Sequence, residues 1–242
     1  MTRLIIVMHK LLGSQHELAA LISRALVHSD KPAIIDLCSG SGGPMAEVYN
    51  RLKTQPHLQN LTLTLTDLYP HLETADRINS EGGSGINYLT KSVNAADLAT
   101  EKVGVRTMIC SMHHMKPTVA HDILSDAKAN RQPICLFEIS DNSFPIWLWW
   151  MVIPMNLLMA FFITPLVRPM TWQQLVFTYL VPIIPICFAW DGAVSNARTY
   201  TIADMNELLE GLHTGDYVWE TGKVGGLLKK LYLLGLPIAS PQ

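Results

Sequence analysis

A glycine-rich turn that follows an apolar segment is the part of this sequence best suited to bind a ligand. Asp36 lies near the end of the apolar segment 33–37, and Gly40 and Gly42 follow it in a turn that ends at Pro44. Glycine adopts left-handed backbone conformations and lets a ligand approach the main chain closely. The helix expected to begin at Pro44 adds free N–H groups and the positive end of its dipole. The turn therefore offers a ligand backbone donors and one carboxylate.

The residue pattern of this turn favours a ligand that carries an ammonium group. A dinucleotide site needs G-x-G-x-x-G to receive a pyrophosphate, and residues 40–45 lack the third glycine. A P-loop is excluded because no Gly-Lys-Ser/Thr follows the turn. The carboxylate of Asp36 pairs better with a cationic amino group than with phosphate. S-adenosylmethionine (SAM) is a zwitterion of this kind, and a short-chain dinucleotide oxidoreductase is the disfavoured alternative.

A second carboxylate follows the next predicted strand. Asp67 comes 31 positions after Asp36, just beyond the alternating segment 61–65. An acid there can accept hydrogen bonds from both ribose hydroxyls of a nucleoside, as the acid of dinucleotide-binding folds does at a spacing of about 20 residues. In the third strand region, Asn94 and Asp97 are candidates for contacts with an adenine edge.

Alternating strands and helices position these groups. Apolar runs bounded by turn residues predict strands, and apolar residues at helical spacing predict helices. The expected strands are 33–37, 61–65, a short strand within 88–97, 105–110 and 134–139, followed by two closing strands, 217–224 and 230–236. The expected helices are 15–27, 44–52, 118–129 and 201–212. This order favours an α/β fold with a mostly parallel sheet and helices on its faces.

Four segments, in this order and spacing, resemble the class I SAM-dependent methyltransferases. They are 36–42 (DLCSGSG), 66–68 (TDL), 94–97 (NAAD) and 109–115 (ICSMHHM). The resemblance covers about residues 33–139. It implies a doubly wound, mostly parallel seven-stranded sheet that ends in a C-terminal β-hairpin with one antiparallel strand. It also implies SAM as the cofactor and methyl transfer as the reaction.

The resemblance further implies which residues contact SAM. They are Asp36, Leu37, Cys38, Ser39, Gly40, Gly42, Asp67, Leu68, Asn94, Ala95, Asp97 and Ser111. Two positions depart from the family pattern, which commonly has glycine where Cys38 stands and an acid where Asn94 stands. We therefore expect a somewhat different turn at Cys38 and an altered adenine contact at Asn94.

Candidate catalytic residues follow the fourth and fifth predicted strands. Methyl transfer depends on holding the reacting atoms in line, and a base is needed only when the acceptor must lose a proton. His113, His114 and Asp141 are the candidates for that base. Because the two histidines are adjacent, both cannot face one site from regular structure. The acceptor atom stays open between O, N, C and S.

The chain is poor in charge because of one long apolar stretch. Its 242 residues are 49% hydrophobic and 16% charged, against about a quarter charged in typical domains. Residues 142–167 and 169–190 contain no Asp, Glu, Lys or Arg, and five of the six tryptophans fall within these runs. Three regions are expected: a SAM-binding α/β core (1–141), an apolar helical insertion (142–190), and completion of the core with the closing hairpin (191–242).

The insertion is long enough to contact a membrane. Apolar runs of about 18 or more residues are candidate membrane helices, and two runs joined at 164–169 suggest a helical hairpin, although prolines interrupt both. The alternatives are a spanning hairpin, a re-entrant or in-plane anchor, a hydrophobic lid over an apolar pocket, and a dimer interface. We predict membrane contact through 144–190, a cytoplasmic location at the membrane, and a hydrophobic or lipid-like substrate.

Three residues in and after the insertion are candidates for substrate contacts. Trp147 lies in its tryptophan-rich beginning, and Arg198 and Tyr200 follow its end. Arg198 and Tyr200 suit an anionic or polar head group. The alternative for Arg198 is an ion pair with Asp191 that anchors the insertion.

Composition excludes other classes of protein. A net charge of −2 with scattered charges excludes an electrostatic nucleic-acid binder. Four cysteines without CxxC or zinc-type spacing predict no metal site and buried free thiols, which suits a reducing cytoplasm. A membrane-associated binding or scaffold protein that keeps the fold without transferring methyl is the alternative function.

Overall fold

Apolar strands form a sheet that helices cover on both faces. The computed structural model describes residues 2–80, 85–98, 102–140, 142, 150–226 and 229–238. Its strands are β1 (Ala33–Asp36), β2 (Thr62–Leu65), β3 (Ile86–Tyr88), β4 (Val105–Ile109), β5 (Ile134–Glu138), β6 (Tyr217–Val224) and β7 (Lys230–Pro237). Its helices are α1 (Thr2–Leu11), α2 (Ser14–Leu26), α3 (Met45–Leu52), α4 (Leu72–Ser80), α5 (Pro117–Ala129), α6 (Val152–Ile163), α7 (Trp172–Leu175), α8 (Ile183–Arg198) and α9 (Ile202–Leu208). Helices α1 and α4 are additional to those expected from the sequence.

The strands form one sheet with the order β3-β2-β1-β4-β5-β7-β6. Strands β1 to β5 pair in parallel, whereas β7 runs antiparallel to both β5 and β6. The α/β class and the closing hairpin are thereby confirmed, in a sheet that is mixed rather than wholly parallel. The order reverses between β1 and β4, and open α/β sheets bind ligands beyond the carboxyl ends of the strands at such a switch point.

Two apolar clusters, one on each face of the sheet, hold the strand ends in place. Helices α2, α3 and α4 bury Ile22, Tyr49 and Ala75 on one face. Helices α5 and α9 bury Ile123 and Leu208 on the other. Burial of each large apolar side chain contributes about 1.5–3 kcal/mol. The loops at the carboxyl edge therefore follow strands whose side chains are packed on both faces of the sheet.

The insertion packs against α1 and forms a third apolar cluster. This cluster contains Leu4, Ala160, Ile163, Val167 and Phe188. Helices α6 and α8 lie against each other, as the expected hairpin requires. The boundary expected after residue 190 falls inside α8, which continues without a break to residue 198. The insertion and α1 consequently form one helical layer.

Many large apolar side chains of the insertion are exposed. This apolar face consists of Trp150, Met151, Met155, Leu158, Phe162, Leu166, Trp172, Leu175, Phe177, Tyr179, Leu180, Val181, Ile183, Ile186 and Trp190. Exposed apolar surface on this scale marks a site of interaction with another molecule or with a membrane.

The insertion bends where its sequence is rich in proline. Within the described residues, no single helix has both the length and the apolar character needed to cross a membrane. The segments Trp172–Leu180 and Ile183–Arg198 meet those criteria only as a pair, with a bend of 76° between them. Pro182 lies at this break, where a proline removes a backbone donor and ends the helix.

The cysteines are free thiols with different exposure. Cys135 on β5 is buried, and Cys38 and Cys110 are half-buried. Cys187 is exposed on α8. The prediction of buried thiols is therefore wrong at Cys187, because this residue lies on the outward side of the insertion.

Candidate cofactor and active site

The carboxylate of Asp36 anchors the loop that follows β1. Asp36 is 3% exposed, and its two oxygens accept hydrogen bonds from the hydroxyls of Ser39 and Thr107, each at 2.6 Å. Thr107 lies on β4, so Asp36 ties the loop to the neighbouring strand. Burial raises the pKa of this carboxyl to about 7, against the effect of the two hydroxyl donors, and the charge of Asp67 raises it further.

The turn after Asp36 is left-handed at four residues. Cys38, Gly40, Gly42 and Gly43 have φ values of 57°, 53°, 93° and 47°. Glycine adopts this region freely, whereas a residue with a side chain loses about 1–2 kcal/mol there. Cys38 thus has the backbone conformation that favours glycine, and the different turn expected at this position does not show in its φ. Burial raises the pKa of the Cys38 thiol to about 12, so the thiol is neutral.

Asp67 connects the ends of β1 and β2. Its Oδ2 accepts a hydrogen bond from the backbone N–H of Gly40, and its Oδ1 accepts one from the N–H of Tyr69, both at 2.9 Å. The carbonyl of Gly40 in turn accepts a hydrogen bond from the hydroxyl of Tyr88 at 2.7 Å. Asp36, Gly40 and Asp67 therefore lie together, as the sequence predicts. Tyr88 was not predicted, since only the strand order brings it beside Gly40.

The loop after β3 lies beside Asp67. The N–H of Val93 donates to the carbonyl of Asp67 at 2.9 Å. Asn94 and Asp97 are exposed, and the side-chain oxygen of Asn94 accepts a hydrogen bond from the N–H of Ala96 at 3.1 Å. The loop therefore presents two polar side chains to solvent on the side of Asp67.

Three predicted SAM contacts differ in how their side chains are placed. Leu37 and Ala95 are 1% and 8% exposed and belong to the apolar cluster around α5 and α9. Leu68 is 45% exposed. Only the backbone of Leu37 is thus left for a ligand, whereas the Leu68 side chain is free to cover one.

A buried histidine and a buried glutamate face each other at the ends of β4 and β5. Nδ1 of His113 lies 2.9 Å from Oε2 of Glu138, and the backbone N–H of His113 donates to Oε1 at 3.3 Å. The two residues are 8% and 3% exposed. Glu138 was not predicted from the sequence, although it ends β5 as Asp36 ends β1. A carboxylate at Nδ1 fixes the orientation and tautomer of an imidazole, which suits it for proton transfer.

His114 lies beside His113 but reaches the surface. The two ring centroids are 4.1 Å apart, and His114 is exposed. Partial burial lowers the pKa of His114 and the neighbouring His113 ring lowers it further, while Glu138 and Asp191 act in the opposite direction. The adjacent histidines therefore differ in environment, because Glu138 holds His113 whereas His114 reaches the surface.

Helix α1 covers the end of β4. Sγ of Cys110 lies 3.7 Å from Nε2 of His9, which is 2% exposed. Burial and the charge of Lys230 lower the pKa of His9 to about 4, so its imidazole is neutral. The buried hydroxyl of Ser111 has no hydrogen-bond partner among the described residues. A buried hydroxyl without a partner is unfavourable, and a ligand with a donor or acceptor at this point would relieve it.

Arg198 and Tyr200 line a groove beside α5. The groove has a volume of about 590 Å³, and the Tyr200 hydroxyl donates to the carbonyl of Met115 at 2.7 Å. These two predicted substrate residues therefore share one surface near the histidines. Asp141 and Trp147, the other predicted catalytic and substrate residues, lie outside the described residues.

Solved structures of methyltransferases have the same fold. This chain is similar to the mitomycin 7-O-methyltransferase MmcR (TM-score 0.54, 12% identity, 93% of this chain and 53% of that one). It is also similar to the methyltransferase domain of bacterial CtHen1 (0.52, 12%, 93% and 97%). A third similar structure is an O-methyltransferase family protein from Burkholderia thailandensis (0.51, 13%, 93% and 57%).

These likenesses concern the fold. The chain spans little more than half the length of several solved structures that it matches, with 57%, 56% and 60% covered in three of them. The sequence itself matches no protein-family model and none of the curated proteins.

Proposed function

We propose that this chain, which has the fold of the class I SAM-dependent methyltransferases, transfers the methyl group of SAM to a hydrophobic small-molecule or lipid-like acceptor at a membrane surface. One observation carries the proposal: Asp36, the left-handed turn and Asp67 meet at the switch point of the sheet. SAM bound there supplies an electrophilic methyl group on its sulfonium.

The groups at the ends of β1, β2 and β4 suit SAM. Each carboxylate oxygen of Asp67 accepts one backbone N–H and keeps lone-pair capacity for a ribose hydroxyl. Asp36 shapes the turn and, once ionised, attracts an ammonium group. The hydroxyl of Ser111, which lacks a partner in the described part of the chain, supplies a further polar contact.

His113 is the base that we assign to the acceptor. Since Glu138 lies at Nδ1, the hydrogen is on that nitrogen and Nε2 holds the lone pair that takes a proton from the acceptor. Glu138 positions the ring and stabilises the charge that forms on it. The remaining contribution of the chain is to hold the acceptor in line with the methyl group, which supplies much of the rate.

The replacement Asp67→Ala is expected to weaken SAM binding about 10- to 100-fold, because hydrogen bonds to a charged group contribute about 1.5–3 kcal/mol. Isothermal titration of the full chain with SAM measures this change. Asp76→Asn is the matched control, because it removes an exposed carboxylate of the adjacent helix α4. Equal affinity in wild type and Asp67→Ala would remove the ribose assignment, and no heat with the wild type at millimolar SAM would contradict the function.

The apolar face supports the membrane part of the proposal. Phe162, Trp172 and Leu180 are 77%, 68% and 77% exposed, and burial of such side chains in lipid contributes about 1.5–3 kcal/mol each. Replacing all three by serine is expected to lower partitioning to phosphatidylcholine vesicles by more than about tenfold. Co-sedimentation of the full chain with these vesicles measures the effect.

The control for this experiment is Val27→Ser. Val27 is 82% exposed but follows α2, outside the insertion, so its replacement should leave partitioning unchanged. A wild-type chain that stays in the supernatant with vesicles, or a triple variant that sediments equally well, would contradict membrane contact through the apolar face.

A further inference from the structure

A second cavity lies between α1, α4 and the insertion. Its volume is about 820 Å³, and Ser41 of the glycine-rich turn forms part of its wall. The cavity therefore borders the loop that we assign to SAM, on the side where the insertion and α1 form their common layer.

Three arginines from separate parts of the chain line this cavity. Arg3 comes from α1, Arg77 from α4, and Arg168 from the segment between α6 and α7. Arg168 is the single charged residue between positions 142 and 190. The one charged residue of this apolar stretch therefore lines the same cavity as Arg3 and Arg77.

Backbone carbonyls orient two of these guanidinium groups. Nη1 of Arg3 donates to the carbonyl of Pro169 at 3.0 Å, next to Arg168. Nη1 of Arg168 donates to the carbonyls of Pro165 and Val167 at 2.7 and 2.9 Å. A guanidinium has five N–H donors, so these contacts orient both exposed groups and leave donors for an anion.

The rest of the wall is amphiphilic. Among the described lining residues, Glu73 on α4 is the one carboxylate against three arginines, so positive charge prevails. Leu4, Phe177 and Ile184 supply apolar surface. Phe177 also belongs to the apolar face defined above, so the cavity connects with that face.

We propose that this cavity is the head-group subsite for an anionic amphiphile, a carboxylate or phosphate on an apolar chain. Arginine forks bind such anions in a planar, bidentate geometry, and the apolar part of the ligand extends along Phe177 toward the apolar face. The identification of this ligand as the methyl acceptor rests on the proposed function, whereas its binding does not.

Binding is tested without SAM, so the result is independent of methyl transfer. Isothermal titration of the full chain uses dodecyl phosphate below its critical micelle concentration and dodecyl maltoside, which has the same apolar chain and no charge. We expect tighter binding of dodecyl phosphate and a loss of at least about tenfold in the double variant Arg3→Gln, Arg168→Gln. Arg168→Lys keeps the charge but loses the planar pair of donors. Its affinity for dodecyl phosphate is expected to lie between those of the wild type and the double variant.

Arg51→Gln is the control, because Arg51 is an exposed cation on α3 outside this cavity. An equal loss in this variant, or equal affinity of the wild type for both detergents, would overturn the subsite.

A parallel measurement uses phosphatidylcholine vesicles with and without phosphatidylglycerol. Binding only to the anionic vesicles, with none to monomeric dodecyl phosphate, would also overturn it, because that result indicates general attraction to a charged surface.

Discussion

The replacement His113→Asn is expected to lower kcat for methyl transfer by about 10² to 10⁴-fold, the usual contribution of a positioned base. The imidazole is held by Glu138 through Nδ1 at 2.9 Å, so Nε2 is the nitrogen to which we assign removal of the acceptor proton. Asparagine offers no comparable base at that point. Single-turnover rates with labelled SAM, on a panel of hydrophobic hydroxyl, amine and thiol acceptors, measure the loss.

Glu138→Gln separates positioning from structure. The amide keeps an acceptor for the His113 ring but loses the negative charge, so we expect a smaller fall in kcat with little change in the affinity for SAM. Glu138→Asp restores the charge at a shorter reach and is expected to recover part of the rate. Loss of SAM affinity in step with kcat would instead indicate that Glu138 only maintains the fold.

His114→Asn is the matched control for the base. The His114 ring contacts the His113 ring at a tilt of 44°, but His114 is exposed and Glu138 holds His113 instead. We therefore expect its replacement to change kcat by less than about tenfold, below the range of a lost base. Full activity of His113→Asn would contradict the assignment and would indicate an acceptor that reacts without losing a proton.

Local patterns were sufficient to predict the shape of the loop that we assign to SAM. Asp36 ends one short apolar strand and Asp67 follows another. Parallel strands end at one edge of the sheet, so the proximity of the two carboxylates follows from the strand order. The turn between Asp36 and Pro44 needs left-handed residues, which its glycines indicate. The apolar runs and the glycines lie within about ten residues of the carboxylates that they position, so the local sequence pattern is enough to predict them.

The remaining parts of the site depend on contacts that are distant in sequence. Glu138 meets His113 because β5 pairs with β4, and a strand ending in an acid does not reveal its partner. Helix α1 gains its apolar contacts from the insertion, about 150 residues later, so its residues could not be recognised as a covering element. The same distance separates Arg3 from Arg168, whose shared cavity appears only in the folded chain.

The variant Asp36→Asn is expected to remove a large pH dependence from the stability of the protein. Burial raises the pKa of the Asp36 carboxyl from 3.8 to about 7. Between these values the folded protein holds a proton that the unfolded chain has lost. The contribution of Asp36 to the free energy of unfolding is therefore fully present below pH 4, and it is lost as the pH rises toward 7. A shift of this size corresponds to about 4 kcal/mol, which asparagine, lacking a titrating proton, does not contribute.

Urea unfolding of both proteins between pH 4 and pH 8 measures this effect. The free energy of unfolding of Asp36→Asn, relative to wild type, is expected to increase by up to about 4 kcal/mol across that range. Thr107→Val extends the argument, because the Thr107 hydroxyl donates to the carboxylate and lowers its pKa. Its loss should therefore raise the pKa further and move the fall in stability to higher pH. An identical pH profile for wild type and Asp36→Asn would contradict this prediction. It would show that the Asp36 carboxyl ionises as readily in the folded protein as in the unfolded chain, and therefore that the carboxyl is not buried at the end of β1.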